Sequence, residues 1–181
     1  EIDFLNNFFW YWLPRLITSL FLFCVGISLA IAHRQTIQWQ PFLKRFIKIS
    51  LCAALVSLST YLFYPQGWIY FGTLHCIALS SIIAAPFIRY RKIGLTLGTI
   101  LFILWFPAKI IPMWPKFPRD SLDNVPLVPW LFFVLLGIFC AQAFTKIKFS
   151  PTTHLSPLVF LSRHALKIYL IHQPVMLGVL Y

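Results

Sequence analysis

The sequence predicts an all-α fold, a polytopic bundle of six transmembrane helices, and three observations predict it. Apolar runs of bilayer-spanning length recur along the chain. Of its 181 residues 60% are hydrophobic and only 10% charged, where a soluble domain carries about 25% charged residues. The charges are also sorted: Arg34, Lys44, Arg45 and Lys48, then Arg89, Arg91 and Lys92, then Lys146 and Lys148 fall in alternate gaps between the runs. All four acids, Glu1, Asp3, Asp120 and Asp123, fall in the other gaps. Short loops rich in Lys and Arg stay cytoplasmic, so the sorting also gives an orientation.

A spanning helix needs about 20 mostly apolar residues. The six expected helices cover residues 10–32, 46–64, 68–88, 93–108, 125–144 and 157–181, within one transmembrane domain over 1–181. In the last, Ser156 is placed to cap the N-terminus and Pro157 takes the first helical position. With the basic gaps inside, the first helix runs inward and the sixth outward, so both ends of this chain face away from the cytoplasm. Pro65-Gln66-Gly67 leaves room only for a tight hairpin between the second and third. A chain that starts outside commonly follows an odd number of earlier spans, and this one opens on Glu1 rather than Met; a helix upstream of it is expected. The one long loop, residues 105–130, carries six prolines and three tryptophans. Proline blocks regular helix, which suits an ordered lid at the outer surface; an interfacial aromatic belt with a solvated linker suits the same composition.

A mean hydropathy of +0.81 leaves too little polar surface to coat a globule in water. The net charge of +11 is scattered between apolar runs. It reads as anchoring at an anionic inner leaflet and not as a nucleic-acid stripe. Cys24, Cys52, Cys76 and Cys140 sit inside apolar runs without CxxC or Cys/His spacing; they read as small packing residues, and no metal is expected. Walker, HExxH and GxSxG motifs are missing, so ATP hydrolysis and serine-nucleophile hydrolysis have no support. No expected span contains a carboxylate, which argues against an ion-coupled transporter. The lack of an N-x-S/T sequon leans toward a bacterial source.

Ionisable groups inside a bilayer cost about 2.5–3.5 kcal/mol each when charged and central, so the few present need a reason. His75 lies near the outer end of the third helix, where a neutral imidazole serves as general base or as a structural hydrogen-bonding group. In the sixth helix His164, Ile168 and His172 share one face at i, i+4, i+8, with Arg163 and Lys167 beside it. This stripe reads either as a basic entry for a phosphate-bearing ligand from the cytoplasm, with His172 deeper at the chemistry, or as snorkelling of the two cations to the inner headgroups. Pro174 then breaks the helix beside His172 and frees a backbone carbonyl that could line a cavity. Asp120 and Asp123 in the outer loop read as acceptor-binding groups, partners of a histidine, or solvated charges.

Four segments together carry a resemblance. They are Pro14-Arg15-Leu16-Ile17 leading into Leu20–Leu29; Phe71-Gly72-Thr73-Leu74-His75-Cys76-Ile77-Ala78-Leu79-Ser80; Pro126-Leu127-Val128-Pro129-Trp130 with Gly137; and Ser162-Arg163-His164-Ala165-Leu166-Lys167-Ile168-Tyr169-Leu170-Ile171-His172-Gln173-Pro174-Val175. In that order the chain resembles the bacterial membrane family related to the catalytic domain of heparan-α-glucosaminide N-acetyltransferase, the last segment being the most specific. The resemblance implies a transmembrane acyltransferase that takes an acetyl group from acetyl-CoA, or another acyl-CoA, on the cytoplasmic side and places it on a glucosamine-type amine or hydroxyl on the far side. The family commonly opens with an Arg-Gly helix followed by a histidine that is catalytic in the animal enzyme. Residues 1–12 contain no His, so that group is expected upstream.

The resulting expectation is a bacterial inner-membrane acyltransferase. His172 and His75 are its catalytic candidates. Arg163, Lys167 and His164 are expected at the donor phosphates, and Asp123 and Trp130 at the acceptor. The expected partners are the lipid bilayer, the acyl donor, a glycan-type acceptor and further copies of the chain, with no nucleic acid. Two other readings stay open: a non-enzymatic membrane protein such as a scaffold or exporter subunit, and a carrier that relays protons through His75 and His172.

Overall fold

The computed structural model describes residues 8–34, 37–105 and 123–146, together with Ile171. The chain divides into two units, Glu1–Lys146 and Ile147–Tyr181. Of the second only Ile171 is described, helical and exposed; the expected helix over 157–181 lies otherwise outside the described residues. The first unit is all-helical among the described residues: α1 Phe8–Ala32, α2 Trp39–Phe63, α3 Thr73–Ala84 extended by a 3-10 turn Ala85–Ile88, α4 Arg91–Trp105 and α5 Leu127–Lys146. Two stretches, Trp12–Ala32 and Trp39–Phe63, are long and apolar enough to cross a bilayer unaided, while Thr73–Ile88 and Leu127–Ala143 are apolar but shorter.

Several boundaries differ from the sequence expectation, most for a local reason. α2 begins at Trp39, ahead of the expected residue 46, because Pro41 occupies its first turn, where a missing N–H costs nothing. Lys44, Arg45 and Lys48 therefore ride on the opening turns of α2 and do not lie in a gap. α3 begins at Thr73 instead of 68, and its α-geometry ends before Pro86, whose ring forbids the i→i−4 bond; the chain tightens there into the 3-10 turn. The regular part of α5 begins at Pro129, since Val128 is extended (φ −98°, ψ 122°).

The interior of this unit is small and partly polar, and its surface is leucine-rich. α2 exposes Leu43, Ile47, Leu51, Leu55, Leu58 and Leu62 along one face and buries only Phe42, Ile49, Ala53 and Thr60. His33, Thr60, Ser80 and Ser81 are buried. A helix in water does the reverse; apolar faces outward with small and hydroxyl side chains inward are what lipid permits.

The core is the crossing of α1 with α5, to which α3 adds a third wall. α1 buries Leu22, Val25, Gly26, Leu29 and Ala30, and α5 buries Leu131, Val134, Leu135, Gly137, Ile138 and Ala141, each set at helical spacing. α4 buries only Gly94 and Gly98, one turn apart, and through Gly98 lies against Leu135 and Phe132 of α5. Phe102 of α4 extends this seam, stacking on Phe132 with ring centroids 4.9 Å apart.

Candidate functional site

Between α2 and α3 the chain does not stay helical. Tyr64–Gly72 folds back along α2 as irregular backbone. Backbone of this kind is stable away from water only where protein groups satisfy its N–H and C=O. Two hydroxyls one turn apart on α2 do so. The Ile69 N–H donates to Thr60 Oγ1 at 3.1 Å, and Ser57 Oγ–H donates to the Ile69 carbonyl. Thr60 spends its own proton on the Val56 carbonyl at 2.8 Å.

His75 completes this network. The Gly72 N–H donates to its Nδ1 at 3.3 Å, so Nδ1 is the bare nitrogen and the proton sits on Nε2. Nε2 lies 3.3 Å from Ser57 Oγ. Because Ser57 has given its proton to Ile69, its oxygen accepts from Nε2–H. Both ring nitrogens of His75 are thus engaged, and the ring also lies 5.8 Å from that of Phe71.

Asp123 enters from the segment before α5. Its Oδ2 accepts from the Thr73 N–H at 2.9 Å and from Thr73 Oγ1–H at 3.0 Å. A carboxylate is favoured there by the positive end of α3 and by the orphan N–H of its first turn. Gly72 makes room: a β-carbon on it would stand 2.6 Å from Asp123 Oδ2. A further bond from the Val125 N–H to the Phe71 carbonyl at 3.4 Å ties the same two segments.

The structure therefore brings two sequence-derived site residues, His75 and Asp123, to the N-terminal end of α3. Trp130 stands in the first turn of α5 with its ring 5.8 Å from Phe133. Arg163, His164, Lys167 and His172 lie outside the described residues. Sequence reasoning missed Ser57, Thr60 and Thr73. The available signal was a pair of hydroxyl residues at i, i+3 inside an apolar run, followed within one hairpin by a histidine that opens a second apolar run.

The other end of α3 has the opposite character. An open cleft of about 520 Å³ is lined there by Arg34, Arg89, Tyr90, Arg91, Lys92 and Gln142, among others. These come from the end of α1, the link into α4, the start of α4 and the end of α5. Arg91 is pinned by its Nε–H, which donates to the Ile88 carbonyl at 3.1 Å. Among the described residues that line this cleft none is acidic. The two ends also fix the helix directions: α1, α3 and α5 run toward the cleft, α2 and α4 away from it.

The family model described as "Heparan-alpha-glucosaminide N-acetyltransferase, catalytic" matches residues 1–174 of the chain. No curated protein and no solved structure gives a match.

Proposed function

The chain belongs to the heparan-α-glucosaminide N-acetyltransferase catalytic family, and from that premise we propose that it is a multi-pass membrane enzyme transferring an acyl group, acetyl in the simplest case, from cytoplasmic acyl-CoA to an amine or hydroxyl of a sugar or glycan on the opposite side. The observation that carries this reading is the polarity of one bundle. α3 and α5 connect a His75/Asp123 cluster at one end to a cleft of four cations at the other. Arginine-rich walls with no carboxylate among their described residues suit a phosphate-bearing donor, and a histidine beside a carboxylate-capped helix end suits handling of an acceptor proton.

In such a transfer the thioester C–S bond breaks and an amide or ester bond forms. The acceptor proton passes through a base to the departing thiolate. His75 and His172 are the bases proposed. For His75 to take a proton, Nδ1 must first release the Gly72 N–H, so acceptor binding would have to displace that bond. Asp123 and Trp130 would border the acceptor, and Arg163, Lys167 and His164 the donor phosphates. We place the protein in a bacterial cytoplasmic membrane, with the cation cleft inward and copies of the chain able to associate.

Sealed vesicles carrying the protein in its full chain test the reading. Acetyl-CoA is supplied on the cleft side and glucosamine is trapped on the other. Acetylated product inside the lumen is the expected result. Product formed only when donor and acceptor share one side, or none with any amino sugar or sugar alcohol, would overturn it. The engagement of both ring nitrogens of His75 in hydrogen bonds favours a second reading, a non-enzymatic membrane protein in which the cluster is purely structural; vesicles lacking transfer while the protein remains folded would select it.

A further inference from the structure

We infer that the cleft at the start of α4 is a binding site for a phosphate-bearing anion, gripped by Arg34, Arg89, Arg91 and Lys92. Three parts of the chain deliver these cations to one cavity of about 520 Å³, within the range of small-molecule sites, about 300–1,000 Å³. Facing one cavity, like charges repel and destabilise the fold unless a counter-charge is present. Among the described residues none supplies one there. Asp123, the one acid among the described residues, is committed to Thr73 at the far end of α3.

Retention of basic loops on the cytoplasmic side explains why cations lie on this side of the bundle. It does not explain their convergence on a cavity, nor the chemistry of the set. Three of the four are arginines, whose planar forks match phosphate oxygens in pairs. The Arg91 guanidinium is already oriented by its bond to the Ile88 carbonyl. Arg91 and Lys92 also occupy the opening turn of α4, which contains no acid; cations are disfavoured at that end of a helix, and a bound anion reverses the penalty. Ile93 and Tyr90, both exposed at the rim, offer apolar surface to the organic part of the ligand.

Two sources carry this chemistry: the phosphates of coenzyme A and the headgroup of an anionic phospholipid. Only the first rests on the transferase reading above. The test uses the full chain in phosphatidylcholine nanodiscs. Coenzyme A binding is followed by calorimetry, and retention of added phosphatidylglycerol by native mass spectrometry. Arg34→Gln/Arg89→Gln is compared with Arg34→Lys/Arg89→Lys, which keeps the charge that sets topology but not the paired geometry.

The expected result is at least about tenfold weaker binding of one ligand in the Gln pair, a smaller loss in the Lys pair, and weakening of wild-type binding by salt. Loss for coenzyme A identifies a donor site, and loss for phosphatidylglycerol a lipid site. Unchanged binding of both ligands in the Gln pair overturns the inference. Should the Gln pair fail to fold, unchanged binding in the Lys pair overturns it equally. Acyl transfer that is absent from wild-type while the cleft still binds phosphatidylglycerol removes the transferase reading alone. Transfer retained in the Gln pair, with donor KM and lipid retention both unaltered, removes the cleft alone.

Discussion

Gly26 of α1 and Gly137 of α5 meet backbone to backbone: a β-carbon on Gly137 would lie 3.1 Å from Gly26 Cα and would overlap the Phe23 carbonyl oxygen. A β-carbon on Gly26 would in turn overlap the Val134 carbonyl. The obstruction on each side is main chain, which cannot swing away. Gly26→Ala or Gly137→Ala should force the two helices apart and lower stability by about 1–3 kcal/mol, with larger side chains costing more. Gly98→Ala is the contrast, because its new carbon meets the tip of Leu135 at 3.0 Å, a side chain able to turn. It should cost under about 1 kcal/mol. Equilibrium unfolding in mild detergent reads the difference, and equal losses at Gly98 and Gly137 would refute the close-crossing argument.

Ser57 holds two groups at once, the Ile69 carbonyl and the His75 imidazole. Ser57→Ala leaves both without that partner, and a buried polar group stripped of its partner costs about 1–3 kcal/mol. His75→Phe removes the ring's polar demand together with the bond. The two losses should therefore not add: a Ser57→Ala/His75→Phe cycle is expected to show coupling of about 0.5–3 kcal/mol. Strict additivity would mean the pair is not in contact in solution.

Asp123 is a helix cap supplied from 50 residues away. Asp123→Ala should loosen the start of α3 and cost about 0.5–2 kcal/mol. Asp123→Asn, which keeps an acceptor oxygen but loses the charge favoured at a helix N-terminus, should recover part of it. Hydrogen exchange localises the effect: the Thr73 amide should lose protection in the alanine variant while amides midway along α5 do not.

Much of this architecture could be read from the residues. Apolar runs between charged gaps mark the helices, and α1 falls close to its expected limits because no charge or proline interrupts it from Leu16 to Ala32. The misreadings cluster where proline or backbone satisfaction outweighs hydropathy. Pro41 lets α2 start early and Pro86 ends α3. Trp68–Phe71 look apolar enough for helix, yet Ser57 and Thr60 hold Ile69 in an irregular segment instead. Gly94-Leu95-Thr96-Leu97-Gly98 was legible as a close-packing face and went unread. At the site, His75 and Asp123 were both recognised as groups needing a reason. Their meeting at Thr73 could not be, because a contact across 50 residues leaves no local pattern. The cation cleft has the same origin: its arginines were read by side of the membrane, while their convergence depends on how α1 and α4 end and begin.

His33 supplies a pH-dependent prediction. It follows α1, is only 5% exposed, packs edge-on against Phe42 at 5.7 Å, and its Nδ1 accepts the Gln38 N–H at 3.3 Å. Protonating Nδ1 would turn that acceptor into a donor and break the turn that leads into α2. Burial, and secondarily the positive charge of Arg45, hold the His33 pKa below its ordinary 6.5. In the unfolded chain the same histidine titrates near about 6.5. Above that value neither state carries the proton and stability is unaffected. As pH falls below it the unfolded chain gains a proton that the folded one refuses, so stability declines until the folded pKa is passed. His33→Gln keeps a side-chain acceptor for Gln38 without a titrating group. Unfolding midpoints between about pH 7 and about pH 5 should drop more for wild-type than for this variant. A wild-type protein that gains stability on acidification relative to His33→Gln would show that the imidazole is charged in the fold, contrary to its packing.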